Sequence, residues 1–113
     1  MKIYTREGFV ALPAGTLFAR GKPWFFHDLC VKGETYETNQ DWYYRPLIWI
    51  ECAGDADQWS KLHGMLEEGK SEPIAAFEQR DGSFDDDEIF LVYERSDLDA
   101  LQLVLDRAKT LLP

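Results

Sequence analysis

Basic residues, cysteines, histidines and long apolar runs are all scarce in this chain of 113 residues, and each shortage narrows what it can do. Twelve Lys and Arg stand against 21 Asp and Glu, for a net charge of −9, and no basic cluster offers a track for a phosphate backbone. A surface of that sign repels nucleic acid and anionic lipid, so neither is an expected partner. No apolar run reaches the roughly 20 residues that a membrane-spanning helix needs. The polar, strand-like N-terminus has no secretory signal pattern, so a soluble, cytoplasmic protein is expected.

Two cysteines, Cys30 and Cys52, and two histidines, His27 and His63, are the whole stock of soft metal ligands. A structural zinc site usually shows two tight ligand pairs. Here His27 and Cys30 are close, but Cys52 and His63 are separated by a strand-to-helix junction, so no metal is expected. Free, buried thiols are the expected state, and a disulfide stays open as an alternative if the two strands are neighbours. A nucleophile–base pairing of either cysteine with either histidine lacks any motif that would build an oxyanion hole, so no catalytic residues are assigned. No cofactor motif is present. The acidic run from Asp81 to Glu88 fails as a calcium loop, because its glycine comes too early and its acids are adjacent rather than alternating.

What the chain does have is acid and aromatic rings. The charge is uneven: up to Ile50, six Lys and Arg face five Asp and Glu, whereas from Glu51 onward six face sixteen. The densest acid, Asp85-Asp86-Asp87-Glu88, needs water, cations or a basic partner, or serves as a solvated gatekeeper for the strand that follows. Aromatic residues make up 14% of the chain and must lie in the core or at an interface. In the stretch Trp42-Tyr43-Tyr44, alternation puts Trp42 and Tyr44 on one face and Tyr43 on the other. One of those faces is core; the other is a candidate protein-binding patch.

The stretch 77–105 organises the fold. Glu88–Glu94 is an apolar, β-branched and aromatic run that predicts a strand buried on both faces or nearly so. Leu98, Leu101, Leu105, Ala108 and Leu112 recur at helical spacing, which predicts an amphipathic helix over about 96–112, capped by Ser96 and Asp99. A second helix is predicted over about 55–68, with Asp55 as N-cap, Trp59, Leu62 and Leu66 as its apolar stripe and Gly69 as C-cap. Asp81-Gly82 reads as a turn in which the glycine takes positive φ, and Pro73–Phe77 reads as a hairpin partner for the strand beyond it.

Earlier in the chain, Met1–Tyr4, Gly15–Arg20, Trp24–Lys32 and Trp42–Glu51 read as strands, with a brief helical turn capped by Thr5 and stopped by Pro13. Gly33–Asp41 reads as a polar loop, and Pro46 points to an edge or a bulge. The whole is expected to be one α+β domain, a mainly antiparallel, twisted sheet of short strands with two packed helices.

The segments KIYTREGFVALPAGTLFARGKPWFF, LCVKGETYETNQDWYY and RDGSFDDDEIFLVYERSDLDAL, which together cover most of the chain, resemble a group of small, acidic accessory proteins of bacteriophages and prophages. The resemblance brings no catalytic motif and no site to transfer. It implies a bacterial host cell, and a protein that binds and blocks a host protein, including components of defence systems.

The leading expectation is a non-enzymatic interaction protein that meets a basic host or phage protein through a nucleic-acid-mimicking surface. Its candidate residues are Asp81, Asp85, Asp86, Asp87 and Glu88, with Trp42 and Tyr44 as aromatic anchors. The alternatives are a small-ligand-binding or enzymatic domain with an aromatic-lined pocket, and a module that self-associates through an edge strand near Pro46.

Overall fold

A computed structural model describes residues 1–36, 40–47, 50, 52–74 and 78–113. The elements in chain order are β1 (Lys2–Thr5), α1 (Arg6–Val10), β2 (Leu17–Lys22), β3 (Phe25–Thr35), β4 (Trp42–Pro46), α2 (Asp55–Glu68), β5 (Gln79–Arg80), β6 (Ile89–Val92) and α3 (Arg95–Leu111). The six strands form one antiparallel sheet in the order β1-β6-β2-β3-β4-β5. The fold is α+β, as the pattern of short strands and two long helices predicts.

The core lies on one face of the sheet. Phe9 of α1 is its hub: its ring stacks on Phe90 at 4.0 Å between centroids and meets Phe18 at 4.7 Å and Trp42 at 4.9 Å. Trp42 on β4 also lies 5.7 Å from Phe90 on β6, although β2 and β3 stand between those strands. Flat strands at about 4.8 Å spacing would hold the two rings about 14 Å apart. The sheet is therefore curled, with the core on its concave side and α1 as the plug. Edge-to-face and tilted ring pairs of this kind add to the burial energy of each ring.

Two bulges shape the curl. Ala19 pairs with Leu29 and Gly21 with Phe26, so His27 and Asp28 together oppose Arg20. An extra residue on one strand bends it and re-aims the neighbouring side chains. Gly21 is needed at this point, since a Cβ there would sit 2.2 Å from the carbonyl oxygen of Phe25. A second shift lies between Lys32 and Thr35, opposite β4.

Several sequence expectations are corrected. β6 has β1 on one side and β2 on the other, so both its edges are occupied and it cannot take a hairpin partner from 73–77. Pro73 and Ile74 are not in a strand, and Ala75–Phe77 lie outside the described residues. The short β5 pairs instead with Tyr43 and Tyr44 of β4, at the far side of the sheet. The strand expected over Trp42–Glu51 ends at Pro46, whose missing N–H falls where β5 no longer pairs. Within the rest of that expected strand, Ile48, Trp49 and Glu51 lie outside the described residues. Thr5 precedes α1 without a side-chain capping bond. Gly54, not Asp55, is the N-cap of α2, and the Asp57 carboxylate accepts the N–H of Ala53 at 2.9 Å. Gly69 does end α2 in the left-handed region, at φ 66°.

α3 starts one residue earlier than expected, with Glu94 rather than Ser96 at the cap. Asp97 accepts the Glu94 N–H at 2.8 Å and also binds the Met1 ammonium at 2.7 Å. A carboxylate held between a helix N-terminus and an ammonium is a stronger cap than a serine hydroxyl, which explains the shift. Both long helices form where periodicity predicts them, yet neither buries a single residue. The helix that closes the core is the five-residue α1.

Candidate functional site

Asp81 and Glu88 bracket the acidic segment and are the ends of a connection from β5, at one side of the sheet, to β6, beside β1. Crossing four strand spacings of about 4.8 Å takes about 19 Å. Eight residues can reach little more than about 28 Å fully extended, so the segment has little slack. It crosses the concave side, because both of its ends are held by arginines that point there.

Arg20 is the centre of this clasp. Its Nε and Nη2 bind the two oxygens of Glu88 at 3.0 and 2.6 Å, a bidentate pair, and Nη2 also donates to Asp81 Oδ1 at 2.5 Å. Arg6 of α1 donates to Asp81 Oδ2 at 2.9 Å and to the Gln40 carbonyl at 3.0 Å. The Asp81 side chain is only 1% exposed. The Arg20 guanidinium lies over the rings of Trp42 and Tyr44, at 5.2 and 5.0 Å. Beside it, Asp41 accepts the N–H groups of Trp42 and Gly82 at 2.9 and 3.0 Å, and its other oxygen sits 3.0 Å from Arg80 Nε. Gly82 takes φ 65°, the positive value that Asp81-Gly82 predicts.

The electrostatics follow from this geometry. Burial works against the Arg20 charge, but Glu88 and Asp81 outweigh it and hold its pKa above the ordinary arginine value. Burial likewise works against the Asp81 carboxylate, and the hydrogen bonds from Arg20 and Arg6 overcome that and keep its pKa below the usual range. Two arginines and two carboxylates balance one another. Paired groups of this kind tolerate burial, whereas either member left alone does not.

The remaining acids lie differently. Asp85 caps the turn by accepting the Asp87 N–H at 2.9 Å and pairs with Lys22 at 3.1 Å, which together lower its pKa. Asp86 and Asp87 are exposed. Next to them Phe84 is also exposed, at φ 51°, with the Arg6 guanidinium 5.1 Å from its ring centroid. Of the two aromatic candidates, Trp42 is fully buried and leaves no surface for a partner. Tyr44 is half-buried against the core. Tyr43 takes the opposite face, as alternation requires, where its hydroxyl meets that of Tyr36. Sequence reasoning did not pick out Arg6, Arg20 or Phe84.

A small open groove of about 230 Å³ adjoins the clasp, lined by Arg20, His27, Asp28, Cys30, Tyr44 and Gln79 among others. The bulge brings His27 and Asp28 there together. Burial pushes the Cys30 thiol up, away from the thiolate a nucleophile needs. Cys52 and His63 are not among the described residues of this groove. His63 instead packs at a tilt against Trp59 within α2, with ring centroids 4.2 Å apart. Cys30 and Cys52 are both free thiols. Among the described residues no three His, Cys, Asp or Glu side chains gather as a metal site, and no helix is long and apolar enough to cross a membrane.

The fold and clasp define an α+β domain on a curled antiparallel sheet, with an acidic connection pinned across its concave side. Compared with known proteins, the chain matches no family model, no curated protein and no solved structure.

Proposed function

We propose that the chain is a non-enzymatic interaction protein that binds a protein with a basic surface, through the segment Phe84–Asp87. The observation that carries this reading is the clasp. Arg6 and Arg20 hold both ends of the segment through buried ion pairs, while Asp86, Asp87 and Phe84 face solvent. A segment already ordered before binding loses little entropy when it docks. Acids then steer and orient a basic partner, and the exposed ring supplies apolar contact. Asp81 and Glu88, two of the candidate acids, serve this reading as anchors rather than as contacts. In the setting that the phage resemblance implies, the partner is a host protein whose basic groove takes the acidic tip in place of phosphate.

The test is affinity capture from bacterial lysate at low and moderate salt, with Asp86→Asn/Asp87→Asn as the paired bait. A basic protein retained by the native chain, weakened by salt and lost from the variant, supports the reading. Equal retention by both baits at both salts sinks it.

One observation favours a second reading, a small-ligand site. The bulge at His27 and Asp28 gathers an imidazole, a carboxylate, a thiol and a phenol around one groove. Its volume lies below the roughly 300–1,000 Å³ of common ligand pockets. Fragment screening by NMR distinguishes the two readings, since only this one expects saturable shifts at His27, Asp28 and Cys30.

A further inference from the structure

Among the described residues, the buried charged side chains are Arg6, Lys32 and Asp41. Arg6 is paired with Asp81, and Asp41 with Arg80. Lys32 differs. It is only 2% exposed, yet no carboxylate of the described residues lies within ion-pair distance of it. Its ammonium donates to neutral acceptors instead, the Thr35 hydroxyl at 2.7 Å and the Gly33 carbonyl at 3.0 Å. The Thr35 hydroxyl in turn donates to the Val10 carbonyl at 2.8 Å, at the end of α1. The Phe9 ring lies 5.9 Å from the ammonium. Buried charges are ordinarily paired, and one held by neutral groups alone keeps its desolvation cost. Burial accordingly holds the Lys32 pKa below the ordinary lysine value, and Glu34 offsets only part of this.

The same bonded residues border an open groove. Val10, Lys32 and Thr35 line a space of about 290 Å³, together with Glu34 and the apolar Leu12 and Pro13. None of these residues lines the groove at His27. Glu34 is exposed and has no ion pair among the described residues.

From this arrangement we infer that the groove binds a small zwitterion, a free α-amino acid with an apolar side chain. Its carboxylate supplies the counter-charge that Lys32 lacks, its ammonium pairs with Glu34, and its side chain lies on Leu12 and Pro13. An ammonium has three N–H donors, so Lys32 can take a carboxylate and still keep Thr35 and Gly33. The two charges of the groove decide the class of ligand. A simple anion gains Lys32 but faces Glu34, and a phosphate does so with more charge. A simple cation gains Glu34 and leaves Lys32 uncompensated. Only a ligand bearing both signs satisfies both side chains. The volume is small for a drug-sized ligand and leaves room for one amino acid. The site is independent of the segment Phe84–Asp87 and of the interaction proposed above.

The experiment is NMR titration of the full chain with alanine, leucine and phenylalanine, following the amides of Lys32, Glu34 and Thr35. Two ligands that each carry half of leucine's charge, leucinamide and 4-methylpentanoate, are titrated beside it. Saturable shifts at those amides are expected with at least one amino acid. If leucine binds, each half-ligand should bind at least about tenfold more weakly, the loss of one charged contact. Lys32→Met is expected to abolish binding and to raise the thermal unfolding midpoint, because it removes a buried charge without a counter-charge. A lysine with a merely structural role would lower that midpoint instead. Glu34→Gln changes an exposed side chain, keeps the fold, and should weaken leucine to the level of 4-methylpentanoate. It carries the test if Lys32→Met does not fold. The inference is overturned if none of the three amino acids gives saturable shifts up to about 10 mM, beyond the millimolar range of weak specific binding. Leucine and 4-methylpentanoate binding equally well to the native chain would overturn it too, as would binding that both variants leave unchanged.

Discussion

The concave and convex sides of one sheet differ in almost every physical respect. On the concave side, three aromatic rings pack around Phe9, and two arginines and two carboxylates pair beside them. On the convex side, side chains of equal hydrophobicity stay partly exposed, and away from the core the two longest helices bury nothing. The contrast separates helix formation from core formation. A five-residue helix with one well-placed ring contributes more to the core than 31 residues of longer helix. Helix length and amphipathicity predict that a helix will form, while the partner that covers its stripe is a separate matter.

The largest expected effect strikes the concave side. Phe9→Ala removes the ring that touches Phe18, Trp42 and Phe90, and is expected to cost about 3–5 kcal/mol, read from urea unfolding. That exceeds a third of the stability of many domains this size. A loss below about 1 kcal/mol would mean that the core does not centre on α1. Next comes the clasp. Arg20→Met strands Glu88, leaves Asp81 to Arg6 alone, and is expected to cost about 3 kcal/mol. Replacing Arg6, Arg20, Asp81 and Glu88 together by apolar residues of similar size restores most of the loss, because the cost lies in the unpaired charge and Arg6 would otherwise lose Asp81.

Acid titration sharpens the same comparison more gently. The pKa of Asp81 is lower in the fold than in the unfolded chain, so its contribution is present above the ordinary carboxylate range and fades as pH falls through its folded value. Asp85 and Asp97 act in the same direction. The Met1 ammonium has the opposite sign: its pKa is raised, so its contribution holds below about pH 8 and fades as pH rises through the folded value. Unfolding midpoints measured across pH should therefore fall at both ends, more steeply on the acid side. Asp81→Asn, measured against the native chain, should flatten the acid limb. An acid limb of unchanged slope would remove Asp81 from the account.

How much of this was legible in the sequence depends on the range over which each signal acts. The β6 strand, both long helices, the Gly69 cap and the positive φ of Gly82 follow from residues within a few positions of one another, and the sequence carries such local signals plainly. The facing of Trp42 and Tyr44 together, with Tyr43 opposite, is also local. The clasp is not. Arg6 and Asp81 are 75 residues apart, and Arg20 and Glu88 are 68 apart. Nothing near either arginine marks it as a partner for a distant acid. The run at Asp85–Glu88 was readable as acid, yet its sorting into anchors and exposed tip depends on the strand order, which places β6 beside β2. The hairpin expected for 73–77 failed for the same reason: adjacency along the chain is the default for strand pairing, and here β1 and β2 had already claimed β6.

The smallest expected effect probes α3. Leu103 is 72% exposed, and at 100° per residue it lies about 160° round the helix from both Leu101 and Leu105. Leu103→Ser removes a side chain that stands mostly in water, and stability should stay within about 0.5 kcal/mol of the native chain. Leu101→Ser changes a partly buried side chain beside Met1 and Tyr93 and should cost about 1 kcal/mol, both read from urea unfolding. Two leucines of one helix would then differ only in the face they occupy. Were Leu103→Ser to cost as much as Leu101→Ser, helix α3 would be contributing through its general hydrophobicity, and the division between a stripe that packs and a side that stays in water would fail.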